Sequence, residues 1–390
     1  MNDSIVIVAA KRTAQGKLLG ALKDFTSPQL GAAAIKAALE QSTLKATHIQ
    51  EVIMGCVLPA GIGQAPARQA ALLAGLPVST PCTTINKMCA SGMKAVMLGH
   101  DNLLAGSADY IIAGGMESMT NAPYLVPKGR QGYRLGHGEL LDHMVYDGLE
   151  DAYEKKLMGF YAEQCAQQLN FTRQQQDEYA ASSLERAQKS IRENIFVNEI
   201  TPITIKEKII TNDEHPLSVN IEKIPLLPPV FTKNGTVTAA NSAAIADGAA
   251  ALVLTRLSLA EKHGLRPLAK IIHHSVSARS PSEFPVAPID AIQILLKKIN
   301  WTIDQVDLFE INEAFAVVTL AAMKKLNIPR EKLNIHGGGC ALGHPIGATG
   351  ARIIVTLIAA LERYQLKRGV AALCIGGGEA TAIAIERIGS

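Results

Sequence analysis

Aromatic residues are scarce, 4% of the chain, and there is one tryptophan, Trp301. The interior must therefore be filled by small and branched aliphatic side chains, with 32 glycines among them. No apolar run is long and charge-free enough to cross a membrane. Nor is there a block of like charge: 38 basic residues stand against 35 acidic ones, net +3. That balance argues against a nucleic-acid partner and leaves a mild attraction for anionic ligands. The six cysteines have neither paired nor metal-finger spacing, which excludes a disulfide framework and makes a reducing compartment the simplest setting. The apolar run Ile5 to Ala10 ends at Lys11 and Arg12, too short for a secretion signal, and the terminal Ile-Gly-Ser is no peroxisomal address, so a cytoplasmic protein is expected. What is plentiful is apolar: 48% of 390 residues. A chain of this length exceeds one core, and its Ala, Val, Ile and Gly usage suits two or three α/β domains.

Cys89 is the most informative residue. Thr83, Thr84 and Ile85 before it favour extended backbone, while Met93, Val96, Met97, Leu103 and Leu104 after it recur at helical spacing. The thiol is thus expected at or next to a helix N-terminus, where orphan N–H groups and the macrodipole lower its pKa. Ala90, Ser91 and Gly92 leave room beside the sulfur. The competing reading is a buried structural cysteine.

Three more clusters carry chemistry. Glu310-Ile-Asn312-Glu313-Ala314-Phe315 follows the apolar run Val306 to Phe309. Asn334 to Arg352 holds His336, Cys340 and His344 among glycines that permit close backbone approach to a ligand. Leu373-Cys374-Ile-Gly376-Gly377-Gly378-Glu379 reads as a strand ending in exposed amides, a candidate oxyanion site. Each has a plainer reading. His344 beside Pro345 could be a turn histidine, and Glu313 and Glu379 suit structural hydrogen bonding. His336, Cys340 and His344 are evenly spaced, but glycines and a proline oppose the helix that would align them on zinc, and a fourth ligand is missing. The glycine runs miss the dinucleotide fingerprint. His273 and His274 lie in a strand-like run and read as structural.

Internal similarity divides the chain. Asp109-Tyr-Ile-Ile-Ala-Gly114-Gly115-Met-Glu117 resembles Ala372-Leu-Cys-Ile-Gly376-Gly377-Gly378-Glu379, and His48 to Met54 resembles Gln305 to Ile311. Two halves, 1–120 and 251–390, are expected, separated by an insert, 121–250. Within that insert Pro127 to Leu149 is rich in glycine and charge, and Met158 to Ile195 is polar and helical.

Asn-Lys-Met-Cys89-Ala-Ser-Gly, Asn312-Glu-Ala-Phe, Gly343-His-Pro and Cys374-Ile-Gly-Gly-Gly resemble, in order, the signature blocks of the thiolase family, over essentially the whole chain. Ala113-Gly-Gly-Met-Glu-Ser-Met and Asn234-Gly-Thr-Val-Thr-Ala-Ala-Asn241 are most similar to the acetyl-CoA acetyltransferase branch. The resemblance implies a thiolase-like α/β fold, two duplicated halves in a layered αβαβα sandwich, with an inserted loop domain over the coenzyme A site. It implies a homotetramer, a dimer of dimers, acting in fatty acid metabolism. It also implies ping-pong condensation of two acetyl-CoA to acetoacetyl-CoA and CoA, or the reverse thiolysis. No permanently bound cofactor and no metal are implied; coenzyme A and acyl-CoA are substrates.

By the same resemblance Cys89 carries the acyl group and His344 takes its proton, while Cys374 is the acid and base at the α-carbon. One oxyanion hole is formed by His344 with a water held by Asn312, the other by the N–H groups of Cys89 and Gly376. Leu149, Met158, Ala239, Ser242, Ala243, Ala314 and Phe315 match positions that line the pantetheine tunnel or lie next to them. Ala243 replaces a serine frequent in relatives, Leu157 a histidine, Leu217 an arginine, and Phe284 a smaller or more flexible residue. Bulky Phe160, Tyr161 and Phe284 favour a short acyl pocket. A broader-chain 3-ketoacyl-CoA thiolase is the alternative. A ketosynthase would lack Cys374, and a non-catalytic acyl-CoA binding protein would lack Cys89 or His344.

Overall fold

The computed structural model describes residues 3–389. In the first part of the chain, β-branched and small apolar runs form β1 (Ile5–Thr13), β2 (Glu51–Gly55), β3 (Cys82–Ile85), β4 (Tyr110–Ser118) and β5 (Ala246–Arg256). The second part forms β6 (Ala269–Ala278), β7 (Leu308–Ile311), β8 (Arg368–Ile375) and β9 (Glu379–Arg387). The main helices are α1 (Ser27–Ser42), α2 (Ser91–Leu104), α3 (Met158–Gln168), α4 (Arg173–Arg192), α5 (Ala287–Ile299), α6 (Ala316–Leu326) and α7 (Thr349–Arg363).

Strand order is β7-β8-β9-β6-β1-β5-β4-β2-β3. The first part contributes β3-β2-β4-β5-β1, in which β2 runs parallel to β3 and β4, and the pairs β4/β5 and β5/β1 are antiparallel. The second part repeats the scheme: β7 parallel to β8, then β8/β9 and β9/β6 antiparallel. Its counterpart of β3 is reduced to one parallel bridge between Phe309 and Leu333. The internally similar segments fall on equivalent strands, β4 with β8 and β2 with β7. The halves join where β1 meets β6 through Val6/Lys270 and Ile7/Ala269, and two short strands beside this path, Gly16–Lys17 on β5 and Ile200–Thr201 on β1, bring the sheet to 11 strands. Residue 250, where the insert was expected to end, lies inside β5, and β5 pairs between β1 and β4. The chain has thus already returned to the N-terminal sheet when it passes that position.

Helices complete the layers. α2 and α7 lie between the halves: Met93, Val96 and Met97 with Ile353, Ile354 and Leu357 share one core with Ile111 and Leu252 on one side and Leu373 and Ile383 on the other. α7 is buried almost all round, and its buried residues include Thr349, Arg352 and Thr356 beside the apolar ones. α1 covers the outer face of the first half through Leu30, Ala34, Ile35 and Ala38, and α5 that of the second through Ile292 and Leu295. Each fully buried Leu or Ile contributes roughly 1.5–3 kcal/mol. The central helices cross at glycines. A Cβ on Gly92 would lie 2.7 Å from the Ala351 nitrogen, and one on Gly350 would lie 2.4 Å from the Met93 nitrogen.

The insert is anchored by buried charge. Arg12 of β1 donates to Glu199 at 2.6 Å and to both Asp213 oxygens at 2.7 and 2.9 Å, all fully or almost fully buried. The expected polar helical stretch is two helices, α3 and α4, broken at Asn170, which adopts φ +54.

Candidate active site

The path into α2 is bent sharply. Met88 sits at φ +47, outside the comfortable range of a side-chain-bearing residue, and is held there by its N–H donating to Asn86 Oδ1 at 2.8 Å. Ser91 Oγ donates to the Met88 carbonyl and accepts from the Lys87 N–H, at 2.7 and 2.8 Å. Strain of this kind costs of order 1–3 kcal/mol and persists only where the surroundings enforce it. It presents Cys89 just ahead of the helix, where the sequence pattern expected it. The thiol pKa moves the other way from that expectation. Burial pushes it up to about 11, although the N–H groups of Gly376 and of Cys89 itself face the sulfur and pull it down; the charge of Glu117 adds to the rise. Two N–H groups do not outweigh the loss of water around a thiolate.

Opposite stands His344, in the loop leading into α7. Its N–H donates to the Ala244 carbonyl at 2.9 Å. Thr349 Oγ1 donates to the Pro345 carbonyl at 2.9 Å, so its oxygen is the acceptor for the His344 Nδ1–H, 2.7 Å away. That bond fixes the proton on Nδ1 and leaves Nε2 unprotonated, its lone pair turned to the Asn312 amide. Asn312 Nδ2 approaches Nε2 at 3.4 Å, and Asn312 Oδ1 is buried without a partner. Burial, and then the Arg352 charge, push the imidazole down to about 3, so it is neutral at rest.

Cys374 closes the triangle at the end of β8, one residue before β8 gives way to the glycine turn. Burial, then the proximity of Cys89, hold its thiol well above the ordinary range. Gly376 follows; a side chain there would make only ordinary contacts with Met158 Sδ at 3.6 Å and the Met88 methyl at 4.0 Å, and what ties this residue to Cys89 is its backbone N–H, which faces the sulfur.

Cys89, His344, Cys374 and Gly376 line one largely apolar cavity of about 270 Å³. Leu149, Met158, Ser242, Ala243, Ala314 and Phe315 line it too, as do Leu157 and Phe284. Ala239 does not line it and is exposed. Asn312 lies behind the wall and reaches the site through His344. The sequence reading missed Phe231, whose ring meets Phe315 at 6.0 Å, while Phe315 meets Phe284 at 6.2 Å; these three form an aromatic wall. It also missed Thr349, for which a hydroxyl five residues after a histidine, at a helix start, was the available signal.

Two carboxylates hold the frame. Glu117, at the end of β4, accepts from the N–H groups of Val57 and Leu58 at 2.9 and 3.1 Å and from Gly347 at 2.9 Å, fastening the loop that carries His344. Burial pushes it up to about 7 against those N–H groups. Glu313 accepts from Tyr179 and Ser183 of α4 at 2.8 and 2.7 Å and from Asn334 at 2.8 Å, the structural role expected of it. His336 and Cys340 turn away from His344. His336 Nδ1 meets Ser190 Oγ at 3.1 Å, and Cys340 Sγ meets the Glu313 carbonyl at 3.6 Å, so the evenly spaced trio forms no ligand set.

Comparison with known proteins places this geometry. Two family models match, "Thiolase, N-terminal domain" over residues 5–258 and "Thiolase, C-terminal domain" over 265–387. The acetyl-CoA acetyltransferase IA of Candida tropicalis is 47% identical over 392 residues, covering 98% of this chain and 97% of that one. The mitochondrial acetyl-CoA acetyltransferase of Mus musculus is 46% identical, over 99% of this chain and 92% of that one. The crystal structure of the Acat5 thiolase of Ascaris suum in complex with coenzyme A superposes with a TM-score of 0.95 at 40% identity, over 99% of this chain and 100% of that one.

Proposed function

The chain belongs to the thiolase family, and from that premise we propose that it is an acetyl-CoA C-acetyltransferase, condensing two acetyl-CoA reversibly to acetoacetyl-CoA and CoA. Coenzyme A and its thioesters enter as substrates, a reading supported by the Ascaris thiolase having been solved in complex with coenzyme A. The observation that carries the reading is the meeting of two thiols, Cys89 and Cys374, at one apolar cavity with an imidazole that is neutral at rest.

Both thiols are protonated at rest, and this orders the proton transfers. Cys89 attacks the thioester carbonyl as its proton passes to His344 Nε2. The N–H groups of Cys89 and Gly376 receive the oxyanion. CoA departs as a thiolate and takes the Cys374 proton, so Cys374 becomes the thiolate base the second step needs. It removes an α-proton from the second acetyl-CoA, whose enolate oxygen is met by His344 and by water held at Asn312. The carbanion attacks acetyl-Cys89, and the leaving Cys89 sulfur recovers its proton from His344. Every group ends as it began.

The aromatic wall of Phe231, Phe315 and Phe284 supports a short acyl group over the broader-chain alternative. Free cysteines throughout support a cytoplasmic setting, and exposed Leu135 and Leu140 in the 126–140 segment support the homotetramer. Incubation with acetyl-CoA followed by peptide mass spectrometry should find the acetyl group on Cys89, with ping-pong kinetics. Acetyl on Cys374 alone would reverse the assignment.

A further inference from the structure

A second cluster of chemistry-bearing side chains lies toward the other end of α2 from Cys89. His100 Nδ1 stands 3.0 Å from Asp101 Oδ1, and His274 Nε2 stands 2.9 Å from the same oxygen. The imidazole rings meet edge to face at 5.2 Å. One nitrogen from each ring and the carboxylate oxygen lie within 4.8 Å of one another.

His274 reaches this point through a break in β6. The register against β9 shifts between Ile271 and His273, so one residue is inserted. Ile271 faces the central core before the shift, whereas after it Ser275 and Ser277 donate to the Ala291 and Ala287 carbonyls of α5 on the outer face. Strict alternation from Ile271 would have turned His273 and Ser275 inward. The bulge brings His274 inward instead, onto α2, as bulges commonly re-aim a side chain.

We propose that His100, Asp101 and His274 form a binding site for a borderline transition-metal dication, best matched by Zn(II), that links the two halves of the molecule away from the catalytic cavity. Two imidazoles and one carboxylate are a donor set for such ions and a poor one for Mg(II) or Ca(II), which take oxygen ligands. In a tetrahedral site with bonds of about 2.0–2.1 Å, donors lie ~3.3 Å apart, so the two nitrogen–oxygen separations need to open by a few tenths of an ångström and the nitrogen–nitrogen separation, within 4.8 Å, needs to settle to the same value. Asp101 is half exposed, which gives the ion its path in and leaves a fourth position for water. The ion would tie α2, of the first half, to β6, of the second.

The test uses the full chain carrying Cys89→Ser, stripped with chelator and titrated with Zn(II), and with Co(II) as an optical probe. The proposal expects one ion per chain, a rise in thermal midpoint, and Co(II) d–d bands without sulfur charge transfer. Asp101→Asn and His274→Gln should each weaken Zn(II) by at least about tenfold, the loss that removing even an outer partner of a ligand causes. Because both lie outside the catalytic machinery, placing them in the Cys89-containing chain should leave thiolysis of acetoacetyl-CoA unchanged, which confirms that they fold. Undiminished Zn(II) affinity in these variants, thiolate bands, or no stoichiometric uptake would overturn it, leaving the carboxylate as a hydrogen-bond acceptor for two imidazoles.

Discussion

A neutral imidazole serves as a base only through the nitrogen that has no proton, and in this site Thr349 decides which one that is. Thr349→Val keeps the shape but removes the acceptor for Nδ1–H, freeing the ring to protonate Nε2. It should lower kcat by about a hundredfold, the low end of what a general base contributes, while Thr349→Ser retains most activity. Steady-state kinetics on acetoacetyl-CoA checks this, and an undiminished kcat in the valine variant would show that the ring needs no such guide. Asn312→Ala should also cost about a hundredfold in kcat, as loss of an oxyanion donor does. Equal activity loss and unfolding, followed by circular dichroism, would instead make Asn312 structural. At this scale Cys89, His344 and Cys374 were legible because reactive types sit in distinctive local strings. The direction of the Cys89 pKa was not, because burial depends on what the rest of the fold brings over the sulfur. Thr349 and Phe231 were hidden for the same reason: their partners, His344 and Phe315, fix their roles through space.

The elements matter through where they begin. α2 starts just after Cys89 and α7 a few residues after His344, and the two helices touch at Gly92 and Gly350, so their spacing sets the distance between Cys89 and His344, the proposed nucleophile and base. Gly350→Ala puts a methyl 2.4 Å from the Met93 nitrogen, a clash with backbone that only helix movement relieves. It should destabilise the protein by about 1–3 kcal/mol, as overpacking does, and reduce kcat more than it raises KM for acetoacetyl-CoA. Urea unfolding alongside kinetics tests this; a stable variant with unchanged kcat would mean that the helices can part without moving the site. The strand repeats were readable from matching segments such as Asp109 to Glu117 and Ala372 to Glu379, since a duplicated fold leaves duplicated patterns. The bulge before His274 and the crossing of residue 250 by β5 were not readable, because strand pairing is settled between segments far apart in sequence.

For the whole molecule, two buried histidines, His344 and His336, are neutral in the folded state and will bind protons once unfolded. Burial lowers His344 to about 3 and His336 to about 4, both below the ordinary value of 6.5. The unfolded chain therefore holds more protons between those values and 6.5, so stability contributed by these groups is present above pH 6.5 and is lost as pH falls toward 4 and 3. The thermal midpoint should drop steadily below pH 6.5, and replacing His336 with Gln should flatten that drop; a flat profile in the parent would contradict the neutral assignment. In the proposed mechanism catalysis likewise spans the molecule, with the acyl carrier Cys89 from one half and the two proton carriers His344 and Cys374 from the other. The measurement that probes this division most directly follows Cys374→Ser in deuterated solvent with acetyl-CoA. A serine hydroxyl is far too weak an acid to give up its proton to CoA and become the base, so the variant should still acetylate Cys89 but lose exchange of the acetyl methyl protons by NMR. Normal exchange with Cys89 acetylated would show that another group, His344 foremost, removes the α-proton, and the assignment of the two thiols would be wrong.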